Sequence, residues 1–179
     1  MAAEQELGDP KALDDRIVAM GHPDAQAALL SKKEIVGHFG SPPFQHDELA
    51  KGGAEFHVVL NSYTVLGGPH TFNLVWAMED WAAKNPKLFQ AFVDAQNEAT
   101  DFIRTDPAAA AKLYVDGEKA KQTPDEILQQ IKGEGIEFTT TPVAMMKYAE
   151  FMKKVGTIKN VPSSWKDFAF PHLHPLSGS

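Results

Sequence analysis

Apolar residues fall in short runs along the first half of the chain and at helical spacing along the second. Residues 17–20, 35–39, 56–60 and 71–78 are brief runs rich in β-branched and aromatic side chains, bounded by turn residues, and they predict strands. Between the first two, Asp24 precedes the helix formers of 25–30 and predicts an N-capped helix. Strands separated by helices over 17–60 favour parallel pairing. Beyond residue 85 the pattern changes. Leu88, Phe89, Phe92, Val93, Ala95, Ala99, Phe102 and Ile103 make one broad face at about 3.6 residues per turn, with Pro86 in the first turn.

Turn chemistry divides the rest. Thr105-Asp106-Pro107 breaks the long helix and caps another over 107–115. Thr123-Pro124-Asp125-Glu126 starts a third, which Gly133 and Gly135 stop near Ile131. Residues 136–139 read as extended. Thr141-Pro142 predicts a fourth helix, with Met145, Tyr148, Ala149, Met152 and Val155 on its apolar side, and Ser163-Ser164-Trp165 opens a last segment before an irregular tail. In the first half, the two prolines of Ser41-Pro42-Pro43-Phe44 fix two φ angles and remove two donors, making a stiff corner from which a short helix runs to Leu49. Gly67-Gly68-Pro69 predicts a loop across 61–70. Strands early and helices late predict an α/β or α+β pattern, and the parallel pairing expected over 17–60 favours the α/β class.

Composition narrows the function classes. The 179 residues carry a formal charge of -7 and no lysine/arginine-rich block, which argues against nucleic acid as a partner. The absence of cysteine excludes disulfides, thiolate catalysis and cysteine metal sites. The amino-terminal residues have no basic patch followed by an apolar core, so they do not read as a secretory signal, and the chain as given reads as cytoplasmic. The apolar runs are too short to span a bilayer.

Two loops carry candidate chemistry. Ser41-Pro42-Pro43-Phe44 follows an expected strand, where open parallel sheets bind ligands. The Ser41 hydroxyl can donate to an anion, and the corner presents Phe44 as an apolar wall; the competing reading is a plain turn over a buried phenylalanine. In Leu66-Gly67-Gly68-Pro69-His70-Thr71, paired glycines allow close approach of backbone N–H groups to an anion, and the competing reading is a tight loop between strands. Trp76 could stack on a ligand, although core packing is the default for it and for Trp81. Among the seven histidines, His172-x-His174 is a close pair without a flanking carboxylate, and no His-Glu-x-x-His or Gly-x-Ser-x-Gly occurs. No metal, cofactor or catalytic residue is assigned on this basis.

The order of these pieces resembles a known family. Val18-Ala19-Met20-Gly21-His22-Pro23-Asp24 leads to Ala27-Ala28-Leu29-Leu30-Ser31. Ile35-Val36-Gly37-His38-Phe39, Ser41-Pro42-Pro43-Phe44 and Val58-Val59-Leu60-Asn61-Ser62 follow, then Leu66-Gly67-Gly68-Pro69, Asn85-Pro86 and Asp106-Pro107-Ala108-Ala109-Ala110. The series, from about Leu13 to about Lys166, is similar to the carboxy-terminal part of the periplasmic substrate-binding proteins of ABC importers, in the nitrate/sulfonate/taurine-type group. The resemblance implies a partial type II periplasmic-binding-protein fold, with residues 1–65 as the remainder of lobe two and 66–179 as the hinge and the mainly helical return to lobe one. It implies a periplasmic solute-binding component for a small anion or organic acid, such as a sulfonate, taurine or nitrate. Its partners would be the ABC permease membrane subunits, and its working motion hinge closure. The ligand-facing positions it implies are Ser41, Pro43, Phe44, Gly67, Gly68, His70 and Thr71.

Family members are roughly twice this length, so the resemblance also implies that part of the cleft lies outside the chain. Two alternatives accompany it. One is a thiamine-pyrimidine-precursor binding or synthesis protein of the same fold; the synthase depends on a cysteine-rich motif, and the chain has no cysteine. The other is a half that acts as an interaction module and pairs as a homodimer.

Overall fold

A computed structural model describes all 179 residues, Met1–Ser179. It contains nine α-helices, four short 3-10 turns and no β-strand. The expected α/β class, and with it the partial type II periplasmic-binding-protein fold, is therefore corrected to an all-helical architecture. None of the runs 17–20, 35–39, 56–60 and 71–78 enters a ladder. The reason is physical: β propensity expresses how well a side chain packs on a pleated, half-buried surface, and a run becomes a strand only when a neighbour takes its backbone groups. Val58, Val59, Leu74, Val75 and Trp76 instead remain exposed.

The chain divides into two compact units, Met1–Val65 and Leu66–Ser179. In the first, α1 (Ala2–Leu7) ends at Gly8 in the left-handed region. Gln5 Nε2 donates to the Val65 carbonyl at 2.9 Å, tying α1 to the last turn of α4 (Ser62–Leu66). The unit's centre is the pair α2 (His22–Ser31) and α3 (Phe44–Gly52). α2 begins at Gly21, with Pro23 in its first turn, where the missing N–H costs nothing. It buries Ala25, Ala28 and Leu29, residues at three- and four-residue spacing, against α3. Gln26 Nε2 donates to the Phe44 carbonyl at 3.1 Å, and Lys32 pairs with Glu55.

In the second unit, α5 (Glu79–Lys84) precedes the long α6 (Pro86–Thr105). Asp106 caps α7 (Pro107–Glu118), accepting from the Ala109 N–H at 3.0 Å. α8 (Pro124–Ile131) opens with a full capping box between Thr123 and Glu126. α7 packs on both α6 and α8, burying Ala110, Ala111 and Ile127. Small residues on α7 allow this close approach. The apolar face predicted for α6 is only half used: Phe89, Val93 and Ile103 are partly covered, whereas Leu88 is 59% exposed.

α9 (Met145–Lys154) starts later than Thr141-Pro142 predicts. Val143 is engaged with Thr71, and Ala144 sits at φ 58 with its N–H donating to Ser179 Oγ at 3.0 Å. The Met145 N–H donates to the Ser179 carbonyl at 2.7 Å. The carboxy-terminal segment, expected to be irregular from Pro171 on, makes a 3-10 turn at Pro171–Leu173 and is pinned. Trp165 is buried, the Phe170 ring lies 4.8 Å from Phe89 of α6, and His174 Nε2 lies 3.0 and 2.9 Å from the carbonyls of Lys166 and Ala169. No helix is long and apolar enough to cross a membrane.

Candidate functional site

The first unit brings Ser41 and Phe44 into one cluster with three residues that the sequence did not single out. Phe44 opens α3, and Glu48 lies one turn further on, so both project from one face of that helix. His22 is the first residue of α2. His38 and Ser41 come from the segment that joins the helices. His38 Nδ1 lies 2.7 Å from Glu48 Oε1, with both side chains buried. His38 Nε2 lies 2.9 Å from His22 Nδ1, and His22 Nε2 lies 3.3 Å from Ser41 Oγ. The result is a continuous line of hydrogen bonds from a buried carboxylate, through two imidazoles, to a half-buried hydroxyl. The Phe44 ring stacks on His22 at 5.3 Å with planes 21° apart, so an apolar wall stands beside the polar line.

Glu48 is the buried charged residue of the chain. Burying an unpaired carboxylate would be costly, and the short bond to His38 is what offsets it. Gly40 makes the turn possible by lacking a side chain: a Cβ there would meet the Gln45 Cβ at 3.2 Å and His38 Nδ1 at 3.5 Å. The two imidazoles and the carboxylate bond to one another in series and do not converge on one point, and no group of three such side chains is arranged to hold a metal ion. Hydroxyl, imidazole and carboxylate in this order are the parts of an activated nucleophile. Here a second imidazole intervenes, and the two residues after Ser41 are prolines, with no N–H to offer a developing oxyanion.

The other predicted positions lie in the second unit. Gly67 and Gly68 adopt φ 74 and 138, conformations that favour glycine, so the loop signal is met by geometry. Lys147 Nζ donates to the Leu66 carbonyl at 2.6 Å beside them. His70 Nδ1 lies 3.2 Å from the Gly68 carbonyl, and its ring meets Tyr148 edge-on at 6.2 Å. Burial raises the Tyr148 pKa above its ordinary value. Thr71 exchanges two bonds with Val143: its N–H donates to the Val143 carbonyl at 2.9 Å, and its hydroxyl accepts from the Val143 N–H at 2.8 Å. Thr71 therefore fixes the entry to α9. Pro43 stands at the N-cap of α3 and supports the corner. Trp76 is 79% exposed, away from the core role that is usual for tryptophan.

His22, His38 and Glu48 left a faint trace in the sequence. Glu48 sits at i+4 from Phe44, and His22 opens a helix just before a proline. The separations along the chain, 16 residues between the histidines and 10 between His38 and Glu48, form no local motif. No protein-family model, curated protein or solved structure matches this chain.

Proposed function

We propose that the chain is the solute-binding component of an ABC-type importer for a small anion or organic acid, such as a sulfonate, taurine or nitrate, working with membrane permease subunits. The proposal rests on the chemistry of the cluster and on the ordered motifs of the sequence. The observation that carries it is the pairing of Ser41 Oγ and the Phe44 ring on the same imidazole, His22. A hydroxyl held by a polar line suits an oxyanion headgroup, and an aromatic wall beside it suits an organic tail. The test is a thermal-shift screen of the full chain with nitrate, sulfate, taurine, ethanesulfonate and bicarbonate, because a ligand that binds the folded state raises its melting point by mass action. Ser41→Ala should remove the shift for every anion, and Phe44→Ala should remove it selectively for ligands with an organic tail. A shift that survives both substitutions would place the ligand elsewhere.

A second reading, an interaction module that pairs with another copy, is favoured by one observation. Phe72, Leu74, Val75, Trp76 and Met78 are all at least 62% exposed within seven residues. A run of large apolar side chains left in water is costly, and such exposure marks interaction sites. Light scattering across a concentration series tests it: a dimer weakened by Trp76→Ser supports this reading, and a monomer at all concentrations removes it.

A further inference from the structure

The line from Glu48 to Ser41 has two self-consistent hydrogen-bonding patterns that differ by one proton. A carboxylate only accepts, so His38 Nδ1 carries the hydrogen that faces Glu48. With His38 neutral, its Nε2 is then an acceptor and His22 Nδ1 must donate to it. That leaves His22 Nε2 as an acceptor, and the Ser41 hydroxyl donates to it. In this pattern Ser41 offers only lone pairs to a ligand. Adding one proton reverses the line. It enters at His22 Nε2, and the hydrogen on His22 Nδ1 passes to His38 Nε2. His38 becomes an imidazolium paired with Glu48, and His22 stays neutral with its hydrogen on Nε2. His22 now donates to Ser41 Oγ, and the hydroxyl hydrogen is released to point outward. No covalent bond other than N–H and O–H changes, and the proton comes from solvent.

From this we infer that the site takes up an oxyanion together with one proton, with the His22–His38–Glu48 line turning Ser41 from acceptor into donor. The inference rests on the reading of Ser41 as a ligand contact. An unprotonated line repels an anion because it presents lone pairs to lone pairs. A protonated line presents a hydroxyl donor, and the net charge of the buried pair rises from -1 to zero at the moment an anion arrives. Other ionisable groups lie on the same elements: Asp24 on α2, Lys32 (paired with Glu55), Lys33 and Glu34 in the joining segment, and His46, Asp47 and Lys51 on α3. Asp47 is paired with Lys51 at 3.2 Å. His46, whose Nε2 is buried, is the other imidazole among these, so its signals must be followed separately.

Two measurements on the full chain test this. The first needs no ligand: long-range proton–nitrogen correlation spectra of the imidazoles between about pH 5 and 8.5, with assignments from single His→Gln variants. At high pH His22 and His38 should both carry their hydrogen on Nδ1, the minor form in free histidine. On acidification His38 should become doubly protonated while His22 moves its hydrogen from Nδ1 to Nε2. An Nε2–H form of His38 at high pH, or independent titration of both rings to imidazolium, would overturn the switch. The second measurement is calorimetry of ethanesulfonate binding in buffers of different ionisation enthalpy. Above the midpoint of the switch, about one proton should be taken up per anion, and affinity should fall about tenfold per pH unit. Glu48→Gln should abolish the uptake. Binding without proton uptake would overturn the coupling while leaving the anion-binding reading intact. If no anion binds at any pH, the anion-binding reading fails, and the His22 titration still decides the switch.

Discussion

His38 Nδ1 and Glu48 Oε1 stand 2.7 Å apart with both side chains more than nine-tenths buried, across a loop that joins the two central helices of the first unit. The bond works in two directions. It anchors the segment of 32–43 onto α3, and it fixes which His38 nitrogen faces His22. Two substitutions of Glu48 should differ in their cost. Glu48→Ala leaves a buried imidazole N–H without an acceptor and should destabilise the chain by about 3 kcal/mol. Glu48→Gln keeps an oxygen acceptor and should cost about 1 kcal/mol. Denaturant unfolding of the two variants checks this, and a Glu48→Ala loss no larger than about 1 kcal/mol would show that the bond contributes little.

The difference between what the sequence showed and what it hid follows from the range of the interactions. The helices of the second half were legible because their signals are local. Asp106 and Thr123 cap the helices they precede, and the prolines at 107 and 124 fall in the first turns. The strands failed because their signal is not local: 56–60 and 71–78 have strand composition, yet no neighbouring run takes up their backbone groups. α4 was hidden inside an expected loop. The Asn61 side chain accepts from the Tyr63 N–H at 2.7 Å and starts a helical turn that the following glycines end. The start of α9 was misplaced because Ala144 and Met145 bond to Ser179, 35 residues and 34 residues away in the sequence. The site divides in the same way. Ser41 and Phe44 were visible through the two prolines between them, whereas the His22–His38–Glu48 line exists only after α2 and α3 have packed.

The capping box of α8 gives a sharp local test. Thr123 Oγ1 accepts from the Glu126 N–H at 3.3 Å, and the Glu126 carboxylate accepts from the Thr123 N–H at 2.7 Å. Thr123→Ala removes one of these bonds and should lower stability by about 1 kcal/mol. Amide exchange should quicken first at residues 125–127. Uniform quickening across α7 and α8 would mean that the two helices unfold as one unit and that the cap is not the local limit.

Gly178 is a test of close packing. A Cβ there would lie 2.8 Å from the Pro142 carbonyl oxygen and 2.8 Å from the Trp165 ring, and neither the backbone nor the buried indole can yield easily. Gly178→Ala should therefore cost about 1–3 kcal/mol. It should also release the Ser179 bonds to Ala144 and Met145, which exchange measurements at those two amides would detect. A variant as stable as the parent, with both amides still protected, would show that the tail does not hold α9.

The pH dependence of stability should carry a contribution from His172. Burial beside Phe89 and Phe170 and, secondarily, the charge of nearby His174 hold the His172 imidazole below its ordinary value of 6.5. The unfolded chain therefore binds a proton at a higher pH than the folded chain does. Between the two values the unfolded state holds more protons, so stability rises with pH in that window. The contribution is complete above about pH 6.5 and is lost as the pH falls through the lower folded value. The ring is largely exposed, so solvent screening keeps the effect small. His172→Gln removes the titrating group but keeps a side chain of similar length, and it should flatten this part of the profile without changing stability near pH 8. Melting temperatures of both proteins from about pH 5 to 8 make the comparison. A profile that keeps its full slope in the variant would show that the loss does not come from His172.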